Sequence, residues 1–243
     1  MDGFLEKQIA GSAIASNATA DSAPELAKHI VLAQHGILTG RDTVTWPERF
    51  EAHAAWSNAG IHVVTDQYSS GPFPRFNTFI KNRRLARAQA AILEHWVHSG
   101  PHRSKLSLVG HSNGCDIIRH TARILAKRGI EIENLILISA PINPALSGLR
   151  ELVCHGAIKR IACWCSPNDT VLAEPGKFWA RFIRWPYGNL GRAGATNARA
   201  ILSGDKPHQA PIYNRWFTGG HSDFFNPRLS TETFDTIITE IKA

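Results

Sequence analysis

The sequence predicts an α/β architecture, a mainly parallel sheet with helices on both faces. Three observations predict it. Short apolar, β-branched runs recur along the chain, bounded by Gly, Pro, Asn or Asp. Segments of helical period lie between them, so strand and helix alternate. The 243 residues suit one such domain with a sizeable core, and 43% hydrophobic against 19% charged is an ordinary globular balance.

Residues 1–27 are rich in Ala, Ser, Asn and Thr and predict an N-terminal arm, helical or loose. Residues 28–243 read as a single domain. His29 to Gln34 is apolar enough for a strand covered on both faces. It ends in His35-Gly36-Ile37-Leu38-Thr39-Gly40. Thr45-Trp46-Pro47-Glu48 reads as a capping box with proline at the helix start, and the helix should run to about Asn58, closed by Gly60. Ile61 to Asp66 predicts the next strand. Tyr68 to Phe76, rich in Gly, Pro and aromatics, predicts an irregular loop. A helix follows from about Thr78 to His98, with Ile80, Leu85, Ala88, Ile92, Leu93 and Trp96 expected on its inner side. Asn134 to Ala140, Ile158 to Ser166 and Ala210 to Thr218 predict further strands. Phe234, Ile237, Ile238 and Ile241 give the last helix a period near 3.6.

The chain is organised around Leu106 to Gly129. Leu106, Leu108 and Val109 form a strand. Gly110-His111-Ser112-Asn113-Gly114 turns sharply, and Ile117, Ile118, Ala122 and Leu125 continue at helical spacing. Strand, Gly-x-Ser-x-Gly turn and helix make a nucleophile elbow. The turn holds the serine backbone in a strained region, and Gly110 and Gly114 admit close neighbours. The helix start brings N–H groups and a positive dipole end to the same place.

This pattern resembles the serine hydrolases of the α/β-hydrolase family, esterases and lipases among them. The resemblance implies a fixed chain order: oxyanion loop, nucleophile, acid, histidine. A serine hydroxyl needs a base to take its proton, and the base needs an orienting acid. With Ser112 as nucleophile, His221 stands on the loop before the last helix, in Thr218-Gly219-Gly220-His221-Ser222-Asp223. Asp169 follows a strand and a Ser-Pro-Asn turn, where the family carries its acid. Asp205 and Asp223 are the rival acids; Asp223 is too near His221 in sequence to approach the ring from across the site. The strand ending at Ser139-Ala140 carries no carboxylate, so the family's alternative acid position is empty. By position, the amides of Asn113 and Ile37 would form the oxyanion hole, with His35, Gly36, His111, Gly110 and Gly114 shaping it. Gly36 should matter more than Ile37, because it lets the backbone approach closely.

The net charge of +7 favours acidic partners, but the basic residues are scattered. The densest group, Lys81-Asn82-Arg83-Arg84, reads as a solvated face at a helix start, and no nucleic-acid motif is present. The four cysteines, Cys115, Cys154, Cys163 and Cys165, lack metal spacing and read as buried, reduced thiols, with Cys163 and Cys165 on one face of a strand. No metal or organic cofactor is expected. No apolar run is long enough for a transmembrane helix, and the first residues lack the form of a secretory signal, so the expectation is a cytoplasmic protein.

The family resemblance also frames the substrate. Its usual lid position, between Ala140 and Ile158, holds only 17 residues here, too few for a large lid. The variable insertion at 174–209 carries Phe178, Trp179, Phe182, Trp185 and Tyr187, which with Pro72, Phe73, Pro74 and Phe76 would wall an acyl pocket. A small-molecule ester of short or medium chain is expected. Thioesterase, amidase or perhydrolase chemistry with the same triad is the alternative, as is a non-catalytic binding protein of this fold. Serine at the elbow argues against dehalogenase and epoxide hydrolase chemistry, which needs aspartate there.

Overall fold

The computed structural model describes residues 29–36, 45–66, 74–99, 104–173, 188–202, 205–206, 209–226 and 228–243, with side chains of the 74–99 helix described from Ile80 onward. Seven parallel strands form one sheet: β1 His29–Gln34, β2 His62–Asp66, β3 Lys105–His111, β4 Ile132–Ile138, β5 Ile158–Cys165, β6 Arg199–Leu202 and β7 Ile212–Trp216. Their spatial order is β2-β1-β3-β4-β5-β7-β6. The helices are α1 Trp46–Trp56, α2 Pro74–Ser99, α3 Asn113–Lys127, α4 Leu149–Cys154, α5 Leu190–Ala193 and α6 Ser230–Lys242.

The pleat sorts the core into two layers, because successive side chains point to opposite faces. Ile30, Leu32, Leu106, Leu108, Leu135, Leu137, Cys163 and Cys165 pack beneath α2, α3, α4 and α5. Val31, Ala33, Val109, Ile136, Ile138, Ala162 and Trp164 pack against Phe50 of α1 and Phe234, Ile237 and Ile241 of α6. Helices therefore cover both faces, as the sequence predicts.

This order creates a switch point. From β1 the chain steps outward to β2, then crosses back to β3 on the other side of β1. Gln34 at the end of β1 pairs with Asp66 on one side and Gly110 on the other. Crevices outside the carboxyl ends of strands at such a reversal are where open α/β sheets bind ligands. The Gly-x-Ser-x-Gly turn leaves β3 at that point.

Several elements depart from the sequence reading. Helix α2 starts at Pro74, so Pro74 to Phe76 are helical rather than loop; proline lacks only an N–H that the first turn leaves unpaired. Its inner face is also rotated. Ile80 is 59% exposed and Ala88 is exposed, while Asn82, Ala86, Gln89, Ala90, Leu93 and Val97 are buried. The two amides explain the rotation. Gln89 donates to Asp66 Oδ2 (2.8 Å) and accepts from Thr121 (2.9 Å), and Asn82 bonds the start of α3. Helix α1 stops at Trp56, and the chain turns through Asn58 (φ 48°) and Gly60 (φ 67°). Strand β4 ends at Ile138, where Ser139 turns at φ 47°. Strand β6 has no counterpart in the sequence reading; it is four residues long on the sheet's edge, largely exposed, with no period to read. Cys154 is exposed at the end of α4, whereas the other three cysteines are buried. The N-terminal arm and most aromatic residues of the 174–209 stretch lie outside the described residues. Among the described residues, no helix is long and apolar enough to cross a membrane.

Candidate active site

The elbow is strained where the sequence places the strain. Ser112 has φ 53° and ψ −129°, a conformation that costs a non-glycine residue about 1–3 kcal/mol. The glycines around it are packing requirements. A Cβ on Gly110 would lie 2.7 Å from Ile118 Cδ1, and one on Gly114 would lie 2.5 Å from the carbonyl oxygens of Gln34 and His35. Gly36 faces Ser112: a Cβ there would lie 2.8 Å from Ser112 Cβ. The β1 loop and the elbow thus approach so closely that a larger residue at 36 or 114 would force one of them to shift.

Three side chains remote in sequence meet at the carboxyl edge. His221 Nε2 is 2.9 Å from Ser112 Oγ, and His221 Nδ1 is 2.8 Å from Asp169 Oδ2. A carboxylate can only accept, so Nδ1 carries the proton and Nε2 presents its lone pair to the serine hydroxyl. Asp169 is fully buried, and its Oδ1 accepts the Leu172 amide at 3.0 Å. Burial alone would raise its pKa; the His221 and Leu172 hydrogen bonds outweigh that and hold it below the usual carboxylate range. The rival acids are used elsewhere. Asp223 Oδ2 accepts the Gly220 amide (2.7 Å), and Asp205 Oδ2 accepts the Leu202 amide (2.8 Å).

The remaining predicted residues surround this triangle. Asn113 is buried and opens α3, at the positive end of its dipole. His35 is buried, its Nδ1 lying 2.5 Å from the Gly36 carbonyl, and burial pushes its pKa down. His111 is buried beside His221, with ring centroids 5.1 Å apart. Burial first, then the neighbouring His221, push its pKa down to about 4. Ile37 lies outside the described residues, as do the proposed pocket walls Phe73, Phe178, Trp179, Phe182, Trp185 and Tyr187. Among the described residues, no group of three His, Cys, Asp or Glu side chains is gathered as a metal site.

Sequence reasoning missed three contributors. Asn82 of α2, read as part of a solvated basic run, is wholly buried and forms a reciprocal amide pair with Asn113 (3.0 and 3.2 Å). It also donates to Asp116 Oδ2 at 2.9 Å. Nothing in the Lys-Asn-Arg-Arg run signals this; only the helix rotation does. Ser166, ahead of Asp169, donates its hydroxyl to the Gly219 carbonyl, and Asn168 Nδ2 donates to the Thr218 carbonyl at 2.6 Å. The acid turn is thereby tied to the histidine loop.

No family model and no curated protein matches the sequence. Solved structures match in fold. The NocB thioesterase domain from the nocardicin cluster is 14% identical, over 91% of this chain and 97% of that one, with a TM-score of 0.50. The S-formylglutathione hydrolase FrmB of Staphylococcus aureus is 13% identical, over 88% of this chain and 81% of that one, also at a TM-score of 0.50. At such identities the likeness is one of architecture, and with the parallel sheet it establishes that this chain has the α/β-hydrolase fold.

Proposed function

We propose that this chain is a serine hydrolase that cleaves carboxylic esters of short or medium acyl chain through an acyl-enzyme. The observation that carries the proposal is the hydrogen-bonded series Ser112–His221–Asp169, at 2.9 and 2.8 Å, built on a serine at φ 53°. Ser112 Oγ attacks the ester carbonyl carbon while His221 Nε2 takes the hydroxyl proton. The carbonyl oxygen becomes an oxyanion held by the amides of Asn113 and Ile37, each donor worth on the order of 3 kcal/mol. The imidazolium, steadied by Asp169, returns the proton to the departing alkoxide as the carbonyl reforms, leaving the acyl-serine. Water then adds to that carbonyl, giving its proton to His221, and the acid leaves as Ser112 regains a proton. The cycle uses no metal and no organic cofactor.

In the same reading, residues 28–243 act as one catalytic domain, 1–27 as an arm, and 174–209 as a border of the acyl pocket. The 17-residue connection between Ala140 and Ile158 supports short chains, because it leaves little material for a lid.

The test is a fluorophosphonate probe on wild type and Ser112→Ala, followed by p-nitrophenyl esters from acetate to palmitate beside acyl-CoA and amide substrates. Labelling confined to the wild type, with turnover best at short esters, is expected. Folded wild type that takes no label would instead mark a non-catalytic binding protein. Labelled wild type that prefers acyl-CoA would make it a thioesterase.

A further inference from the structure

The histidine loop must deliver an imidazole to a fixed height above the serine, yet it contains Gly219 and Gly220, which bring no side chains to pack it in place. Its carbonyls show how it is fastened. Those of Thr218 and Gly219 are taken by Asn168 and Ser166 of the acid turn. The carbonyl of His221 itself is taken by His111, whose Nε2 lies 2.9 Å away. A carbonyl can only accept, so His111 is protonated on Nε2. The burial that pushes its pKa down to about 4 keeps the ring neutral at the pH where a serine hydrolase works, so it adds no positive charge against the imidazolium that forms on His221. The His111 ring is itself fixed, edge-on to Phe225 at 5.1 Å and 80°.

We propose that His111 is a positioning residue: from the residue before the nucleophile it clamps the backbone of the base, so that elbow and imidazole move as one unit. The proposal rests on the reading of Ser112, His221 and Asp169 as a catalytic triad. The His111 ring bonds the backbone of His221 and is not hydrogen-bonded to Ser112 Oγ, His221 Nε2 or the Asp169 carboxylate. Its loss should therefore slow the chemical step and leave substrate binding nearly intact, because a displacement of about 1 Å costs a reaction on the order of 100-fold.

The experiment compares wild type with His111→Leu, His111→Gln and His111→Asn in kcat, KM, fluorophosphonate labelling rate and thermal unfolding midpoint. Gln reaches about as far as the histidine Nε2; Asn does not. For Leu and Asn the expected result is a kcat lower by roughly 10- to 100-fold, KM within about 3-fold, and slower labelling. Gln should recover kcat to within about 5-fold of wild type. A folded Leu variant with wild-type kcat would overturn the proposal. Should Leu fail to fold, the Gln and Asn pair decides, and equal kcat for the two would overturn it. Absence of label on Ser112 in folded wild type would bring down the triad reading and this proposal with it. A labelled wild type with unaffected variants would bring down the clamp alone.

Discussion

A serine bonded to a histidine lies near each end of strand β3, and the two pairs are alike in distance and unlike in everything else. At the carboxyl end Ser112 lies 2.9 Å from His221, and at the amino end Ser107 lies 2.8 Å from His29. His221 has a buried carboxylate hydrogen-bonded behind it; among the described residues no carboxylate is hydrogen-bonded to His29. Ser107 accepts from Asn134 Nδ2 (3.2 Å), which also donates to the Ile241 carbonyl (3.2 Å), so that pair fastens the end of α6 to the sheet. Burial, helped by Lys105, pushes the His29 pKa down to about 4, making it a poor proton acceptor. Ser107 lies wholly buried in a regular strand, whereas Ser112 is strained and partly open. A serine and an imidazole in contact are thus not a site. What sets the Ser112 pair apart is backbone strain, a buried carboxylate behind the ring and partial exposure, which is why the proposed chemistry is placed there.

The largest test of this contrast is at the carboxyl end. Ser112→Ala should lower ester turnover by about a million-fold and abolish fluorophosphonate labelling. Asp169→Asn should retain the fold and lower kcat on the order of 10⁴-fold, measured by steady-state hydrolysis, because the imidazole would lose its orienting charge. Gly36→Ala sharpens the geometric half of the comparison. Its methyl would meet Ser112 Cβ at 2.8 Å, so kcat/KM should fall about 10- to 100-fold with the unfolding midpoint lowered by only a few degrees.

Acid should act on both ends together. His29 and His111 are each held near 4, below the unfolded value of about 6.5. The unfolded chain then binds protons that the folded one refuses. Stability from this source is complete above pH 6.5 and is lost as pH falls toward 4, on the order of 3 kcal/mol for each ring. Urea unfolding at pH 7, 5.5 and 4.5 should show the decline, and His29→Gln should flatten part of it. The smallest effect belongs to the amino end. Ser107→Ala should leave kcat unchanged and cost about 1–3 kcal/mol by denaturant unfolding, since Asn134 and His29 lose a buried partner.

The elements that the sequence made legible are those that bury a repeating pattern. β1, β3, β4, β5 and α6 announce themselves by apolar runs or a period near 3.6, and the elbow adds glycines whose necessity the contacts at Gly110 and Gly114 explain. The chain order of Ser112, Asp169 and His221 picked out three residues that the fold gathers within hydrogen-bond reach. What stayed hidden is polar or marginal. Helix α2 turns Asn82 and Gln89, not Ile80, toward the protein, because the two amides satisfy buried groups on α3, β1 and β2. Strand β6 has no core of its own and exists through its ladder with β7. The tie from His111 to His221 spans 110 residues and leaves no local trace.

The unequal burial of the thiols has a practical side. Cys115, Cys163 and Cys165 are enclosed, and enclosure raises the pKa of each, that of Cys163 to about 12, leaving almost no thiolate to react. Cys154 alone faces solvent. A maleimide dye or a gold surface should therefore couple at a single point on α4, giving a uniformly oriented, singly tagged protein without engineering.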